Sequence, residues 1–324
     1  MVQLEARPNE RRSAADVLDE LRSGVTPADA IYPTGFDPLD SALDGGLRSR
    51  SLALVGGLPG VGKTVLALQW ARSAAKRGQE AIFVSYEHNE TSLLSRLLIL
   101  EAAETSPFGA GERRSLLRRA AEGSLAFDDA AQRDPGLAKT QDRIAEYADN
   151  LWFARAGAAT GLAEIEELAL EAADPILFVD YLQKVSTDQS ESNADRVIRI
   201  SEGLKDIALR LSMPVVAVVA ADHKGLTSRR LRTHHLRGSS ALAFEADVVM
   251  ILNNKFDAVS KRHTSYDAVR AEGFKSQVVL TIEKNRDGPA PLDLEFRKDF
   301  ENYRFEPDGG YVAERLVDDH LYTE

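Results

Sequence analysis

Seven short stretches of the chain are apolar almost throughout: Leu52–Val55, Ala81–Ser85, Leu151–Ala154, Ile176–Asp180, Val215–Ala220, Val248–Leu252 and Gln277–Glu283. Most have the composition of strands buried on both faces, where neither side of the pleat meets water. Between them, Lys63–Arg77 (closed by Gly78), Thr91–Ala103, Gly161–Ala172 and Asp195–Leu211 read as helices. Strands alternating with helices predict an α/β fold, a mostly parallel central sheet with helices on both faces. The pattern is weaker from Glu104 to Thr140: "ERRSLLRRAAEG" reads as one helix with a solvated basic face, and the polar stretch around Pro135-Gly136 reads as loop. No internal repeat is present.

Ahead of the first strand, "SAADVLDELRSG" predicts a short amphipathic helix. Ser13 can cap it with Asp16 three residues on, and Ala14, Val17, Leu18 and Leu21 fall at i, i+3, i+4 and i+7. Joined to the core by "VTPADAIYPTG", this helix needs an apolar surface to lie on, and the sequence leaves open whether that belongs to its own domain or to a neighbour. The chain thus divides into an arm (1–31), a core (32–306) and a tail (307–324).

Composition sets limits. A chain of 324 residues with 44% hydrophobic content can bury a substantial core, as one large α/β domain or one domain with an arm. With no cysteine, disulfides and cysteine-ligated metals are excluded, which suits a reducing cytoplasm. The polar start "MVQLEARPNERRSAAD" is unlike a signal peptide, and no apolar run approaches the ~20 residues that cross a bilayer, so a soluble protein with no membrane partner is expected. The net charge of −11 argues against a surface coated for nucleic acid but leaves room for a local basic site. "HKGLTSRRLRTHHLRG" is such a site: Lys224, Arg229, Arg230, Arg232 and Arg237 occur there with no acidic residue from Lys224 to Arg237. A solvated loop is the usual explanation for a charge run taken alone.

Specific chemistry enters with "GGLPGVGKTVLALQW", Gly56–Trp70, which sets Gly57, Gly62, Lys63 and Thr64 in the fixed places of a phosphate loop. Its glycines let backbone N–H groups point at phosphate oxygens, and the helix that begins near Lys63 adds its positive dipole end. Lys63 would reach the β- and γ-phosphates and Thr64 would ligate Mg²⁺; Gly60 and Val65 complete the candidate nucleotide contacts. "PILFVDYLQKV" ends its strand at Asp180, where a carboxylate can hold Mg²⁺ beside that loop. "EAIFVSYEHNE" delivers Glu87 to the carboxyl edge of the sheet as a base for the attacking water, with Glu90 as a competitor.

Seven segments in order resemble the motor domain of the DnaB-type replicative helicases, a RecA-like P-loop NTPase core: "PTGFDPLDSAL", "GLPGVGKT", "VSYEHNETSLLSRLL", "ILFVDYLQKV", "SEGLKDIALRLSMPVVAV", "HLRGSSALAFEADVVMIL" and "EKNRDGPAPLDLEF". The resemblance runs from about Tyr32 to Phe305. It implies a ring, usually of six subunits, that hydrolyses ATP with Mg²⁺ between neighbours and draws single-stranded DNA through its centre, with a loading, replication or repair protein as a further partner. By position, Lys63 and Thr64 match the family's phosphate-loop pair, Glu87 its catalytic glutamate and Asp180 its metal-side aspartate. Lys284 and Arg286 match the basic pair that reaches the adjacent subunit's nucleotide. The stretch from Lys224 to Arg237 falls where the family places DNA-facing loops, which makes its five cations DNA-binding candidates.

The departures are also specific. About thirty residues precede the core, so the family's helical collar, which meets primase, is expected to be missing. Asp222 and His223 stand where a Ser-Gln pair is usual, and Phe244 stands where a glutamine is usual. These positions bear on how hydrolysis is coupled to strand movement. Three functions fit: an ATP-driven DNA helicase or translocase, a regulatory ATPase switch similar to RadA or KaiC relatives, and a non-catalytic assembly subunit. The set Lys63, Thr64, Glu87, Asp180 and Arg286 argues against the third.

Overall fold

All seven apolar runs form strands, and all seven lie in one sheet. After a small antiparallel pair, β1 (Ile31–Tyr32) with β2 (Leu47–Arg48), they are β3 (Leu52–Gly57), β4 (Ala81–Ser85), β5 (Leu151–Arg155), β6 (Ile176–Asp180), β7 (Val215–Ala220), β8 (Val248–Asn254) and β9 (Gln277–Asn285). With β10 (Leu292–Asp299), β11 (Arg304–Phe305) and β12 (Gly310–Tyr311) the sheet has ten strands in the order β11-β10-β9-β8-β3-β7-β6-β4-β5, and β12 pairs with β10. The six from β8 to β5 are parallel, and β9 to β12 extend the sheet antiparallel. The computed structural model describes residues 11, 13–23, 30–105, 109–187, 193–260 and 268–317.

The chain forms two units, residues 1–30 and 31–324. In the first, α1 (Ala14–Ser23) is capped as the sequence predicts: Asp16 N–H donates to Ser13 Oγ and Ser13 N–H to Asp16 Oδ2, both at 3.1 Å. None of its residues is buried. Part of the joining segment, residues 24–29, lies outside the described residues.

In the second unit, side-chain alternation builds two cores. Along β3, Ala53 and Val55 face one side with α2 (Asp37–Ala42), α3 (Lys63–Lys76) and α4 (Glu90–Thr105), while Leu52 and Leu54 face the other. β6 and β7 split in the same way, Phe178 and Val216 to the first core, Leu177 and Val215 to the second. The period of two, buried on both faces, is why these strands read as unbroken apolar runs.

The weakly patterned region becomes three helices, α5 (Ala110–Ala121), α6 (Phe127–Arg133) and α7 (Pro135–Ala145), with a small core of Leu98, Ile99, Leu116, Leu117 and Leu137. Pro135-Gly136 is a helix start and not a loop. Asp134 caps it by accepting Gly136 N–H at 2.8 Å, and proline suits the first turn because its missing N–H has no helical partner there. Arg113 is the exception to the solvated basic face of α5: it is 1% exposed and pairs with Asp134 at 2.8 Å. α7 is tied to α3 and α4 through buried Glu101, which meets Arg72 (2.5 Å), Lys76 (3.0 Å), Arg143 (3.0 Å) and Tyr147 Oη (2.9 Å). Burial alone would raise the Glu101 carboxyl; the ion pairs outweigh it and hold it at about 2.

On the other face lie α8 (Leu162–Leu170), α9 (Asn193–Arg210) and α10 (Ser239–Glu245), whose Ile165, Ile200, Leu204 and Leu242 are fully buried. The first part of the stretch read as a tail is bound to the sheet: Gly310 and Tyr311 pair with Glu295 and Leu294 of β10, and Val317 N–H donates to Ala258 O at 2.7 Å. Residues 318–324 lie outside the described residues.

Candidate nucleotide site, the opposite edge and the basic loop

β3 ends at Gly57, level with Ala220 of β7 and Leu252 of β8, and the chain then turns through Gly60 and Gly62 into α3. Both turn glycines need left-handed backbone, φ +77° and +105°. Gly62 has a second constraint: a Cβ there would lie 2.6 Å from ring carbons of both Phe300 and Phe305, which brace the loop from behind. The helix ladder starts with Leu66 N–H to Gly62 O at 2.9 Å, so the N–H groups of Lys63, Thr64 and buried Val65 precede it at the positive end of the helix. Lys63 Nζ donates to Gly57 O (2.8 Å) and Leu58 O (2.9 Å), which folds its ammonium into the loop's concavity. Burial lowers its pKa, against the charges of Asp180 and Glu87.

Thr64 Oγ1 donates to Asp180 Oδ2 at 2.8 Å. Burial pushes the Asp180 carboxyl up to about 6, with the charge of Glu87 adding to the rise and Thr64, Lys63 and Arg96 opposing it. A buried carboxylate short of positive charge beside a hydroxyl is an oxygen donor set suited to a hard divalent cation such as Mg²⁺, which keeps waters and phosphate oxygens as further ligands. No cluster of three or more His, Asp or Glu among the described residues could hold a metal by itself.

Ser85 at the end of β4 is in register with Asp180, and Glu87 follows two residues later, exposed at the same edge of the sheet. Its charge acts on both Lys63 and Asp180. Glu90 begins α4 and is exposed. Arg96 is one cation in the apolar run "SLLSRLL". It is half-buried beside His88 (Nη2 to Nε2, 3.0 Å), its guanidinium lies 5.3 Å from the Tyr303 ring centre, and the charges of Asp180 and Glu87 reach it. Nothing local in the sequence marks it, because Tyr303 arrives from the far end of the chain.

Lys284 and Arg286 are elsewhere. β9 runs antiparallel to β8, which sets Lys284 opposite Val249 and Asn285 opposite Val248. Val248 is level with Ala53, four residues before Gly57, or about 13 Å back along the strand. The pair therefore sits at the edge opposite its own phosphate loop. Lys284 Nζ donates to Ala243 O (2.8 Å) and Phe244 O (3.4 Å) at the end of α10, and burial lowers its pKa. Arg286 Nη1 donates to Asp247 Oδ1 at 2.9 Å, and this pairing raises the arginine's pKa. Phe244, beside them, is 82% exposed.

The basic loop divides into two groups. Arg230 is 7% exposed, ion-paired to Asp293 at 2.6 Å and bonded to Thr281 at 3.3 Å; Arg232 is ion-paired to Glu283. For these two the DNA-facing reading is corrected: their guanidinia fasten the loop to β9 and β10. Lys224, Arg229 and Arg237 are exposed, and Arg229 Nη2 donates to Val259 O at 3.1 Å. Asp222 accepts Gly225 N–H at 2.7 Å as a turn cap, and His223 is exposed.

The family described as DnaB-like helicase C terminal domain matches residues 136–305, just over half of the chain, and the KaiC ATPase family matches residues 32–103. The replicative DNA helicase DnaB of Treponema pallidum is 27% identical over 273 residues, covering 83% of this chain and 55% of the relative. That of Leifsonia xyli is 28% identical over 268 residues, covering 79% and 52%. The chain thus spans about half the length of these relatives. Among solved structures, one ATPase domain superposes with a TM-score of 0.71 at 22% identity, over 91% of this chain and 99% of that one. A DnaB-like replicative helicase, solved in a study of its interactions with primase, gives 0.70 at 22% identity, over 91% and 68%. These two likenesses establish the RecA-like fold.

Proposed function

Because the chain belongs to the DnaB-like helicase C-terminal domain family, we propose that it is an ATP-hydrolysing ring motor that moves on single-stranded DNA. The observation that carries this reading is the split between the two edges of the sheet. Lys63, Thr64, Glu87 and Asp180 gather at the carboxyl edge, while Lys284 and Arg286 stand at the other, too far to serve their own loop. Two half-sites on opposite edges of one chain are what a ring with nucleotide between neighbouring copies requires. Six subunits is the family's usual number.

Each group has a definite role in this scheme. The glycine backbone at Gly57, Gly60 and Gly62 and the N–H groups that open α3 would bind the phosphates, with the Lys63 ammonium neutralising their terminal charge. Thr64 and Asp180 would hold Mg²⁺, which when bound screens the phosphate oxygens. Glu87 would take the proton of the attacking water. Lys284 and Arg286 would enter the neighbour's site and stabilise charge on its γ-phosphate. The exposed cations Lys224, Arg229 and Arg237 would meet the DNA backbone. No described helix is long and apolar enough to cross a membrane, and we assign the motor to the cytoplasm, where a loading or repair protein would bring it to DNA.

Steady-state ATP hydrolysis with and without single-stranded DNA tests the proposal. A several-fold stimulation is expected. Hydrolysis indifferent to DNA, in protein that forms a ring, would favour a regulatory ATPase that acts on a protein partner.

A further inference from the structure

Asp247 lies at the foot of β8 with 5% of its surface exposed, and its two oxygens bind different partners. Oδ2 accepts Leu52 N–H at 2.8 Å and Lys205 Nζ at 2.6 Å, which fixes the carboxylate to the start of β3 and to α9. Oδ1 accepts Arg286 Nη1 at 2.9 Å. The backbone adds Asp247 N–H to Leu52 O at 2.9 Å and Arg286 N–H to Asp247 O at 3.0 Å. A carboxylate anchored in this way cannot follow a moving guanidinium; it holds the guanidinium still.

The grip leaves the arginine available. Among the described residues only one terminal nitrogen is engaged, and the side chain is 67% exposed, so most of the fork remains open. Lys205, at 2.6 Å, shares the aspartate's charge with Arg286, so Asp247 alone does not neutralise the guanidinium. An arginine on an exposed turn otherwise loses rotamer freedom when it engages a ligand, and a fixed fork avoids much of that loss.

We propose that Asp247 is a positioning residue for Arg286, holding its guanidinium in advance at the edge that meets the neighbouring subunit's nucleotide. The inference rests on Arg286 acting on the adjacent copy. Its test is steady-state ATP hydrolysis by assembled wild type, Asp247→Asn, Arg286→Ala and the double variant, with assembly mass and unfolding midpoint measured for each. A mispositioned fork should lower kcat by up to ~10²-fold with KM nearly unchanged. In the Arg286→Ala background the same change should have almost no further effect, since nothing is left to position. Asp247→Glu covers the case in which the amide disturbs folding: it keeps the charge facing Lys205 and displaces the oxygen that takes Arg286, and it too should lose kcat. Wild-type kcat in either folded variant, or the same loss with and without Arg286, would overturn the inference and assign Asp247 to bracing β3. Wild-type hydrolysis by Arg286→Ala would instead remove the reading of Arg286 itself, and the inference with it.

Discussion

Lys63 and Glu87 bring opposite charges to one edge of the sheet, and their surroundings predict different phenotypes. The Lys63 ammonium is enclosed by loop carbonyls and is partly desolvated, so Lys63→Ala removes a cation that has no substitute in the loop. Nucleotide binding should weaken and turnover should fall by ~10²–10³ or more. Glu87 is exposed, and its charge adds to the rise that burial gives the Asp180 carboxyl. Glu87→Gln should keep binding intact, because the amide has the same shape, and slow turnover by ~10²–10⁴ through loss of the base. Equilibrium binding of a fluorescent ATP analogue together with steady-state hydrolysis separates the two. A Glu87→Gln protein at wild-type rate would pass the role to Glu90. At this scale Lys63, Thr64 and Asp180 were legible because a phosphate loop and an acid at a strand end are local patterns. Arg96 and Asp247 were not, since what they do depends on Tyr303 and Arg286, residues distant in sequence that only the folded sheet brings to them.

Among the elements, a strand was legible where it is an apolar run, and all of those except the half-exposed edge strand β5 are largely buried on both faces. β10 was missed because it alternates, with Leu292, Leu294 and Phe296 between Asp293, Glu295 and Arg297, and the apolar runs that gave away β3 to β9 do not occur in it. The helices from Ala110 to Ala145 were blurred for a similar reason: their shared core is small, and much of each surface is charged. The basic loop shows the limit of reading charge from sequence, since equal side chains in one run have unequal jobs. Replacing Lys224, Arg229 and Arg237 by Ala should flatten the salt dependence of single-stranded DNA binding by roughly 0.7 in slope per lost phosphate contact, with basal hydrolysis retained. Arg230→Ala should act on stability, lowering it by about 1–3 kcal/mol in urea unfolding, because it strips Asp293 and Thr281 of a charged partner. An unchanged slope in the triple variant would return the exposed cations to the role of solvating the loop.

On the proposed reading, no single copy of the whole molecule completes the site. Strand register sets Lys284 level with Leu54, about 10 Å behind the phosphate loop along the sheet and two strands away from β3, and Arg286 continues past the strand end, so side-chain reach cannot close the gap within one chain. A trans-acting cation of this kind is worth ~10³–10⁵ in rate. Its signature is that two defects on different sides of an interface complement each other. Arg286→Ala subunits lack the donor half and Glu87→Gln subunits lack the acceptor half, so each ring alone should be nearly inactive. When subunits are exchanged between them, some interfaces join an intact Arg286 to an intact Glu87, and hydrolysis should return in proportion to the number of such interfaces. If both residues served one chain, mixing would restore nothing, because every subunit would still carry a defect. Mass measurement on the mixed assemblies shows whether exchange took place, and mixing at several ratios shows whether one intact interface suffices. Recovery that appears only when wild-type subunits predominate would mean that interfaces fire in a coupled order. No recovery at any ratio, in rings shown to be mixed and active when wild-type subunits are added, would remove Arg286 from the neighbour's site.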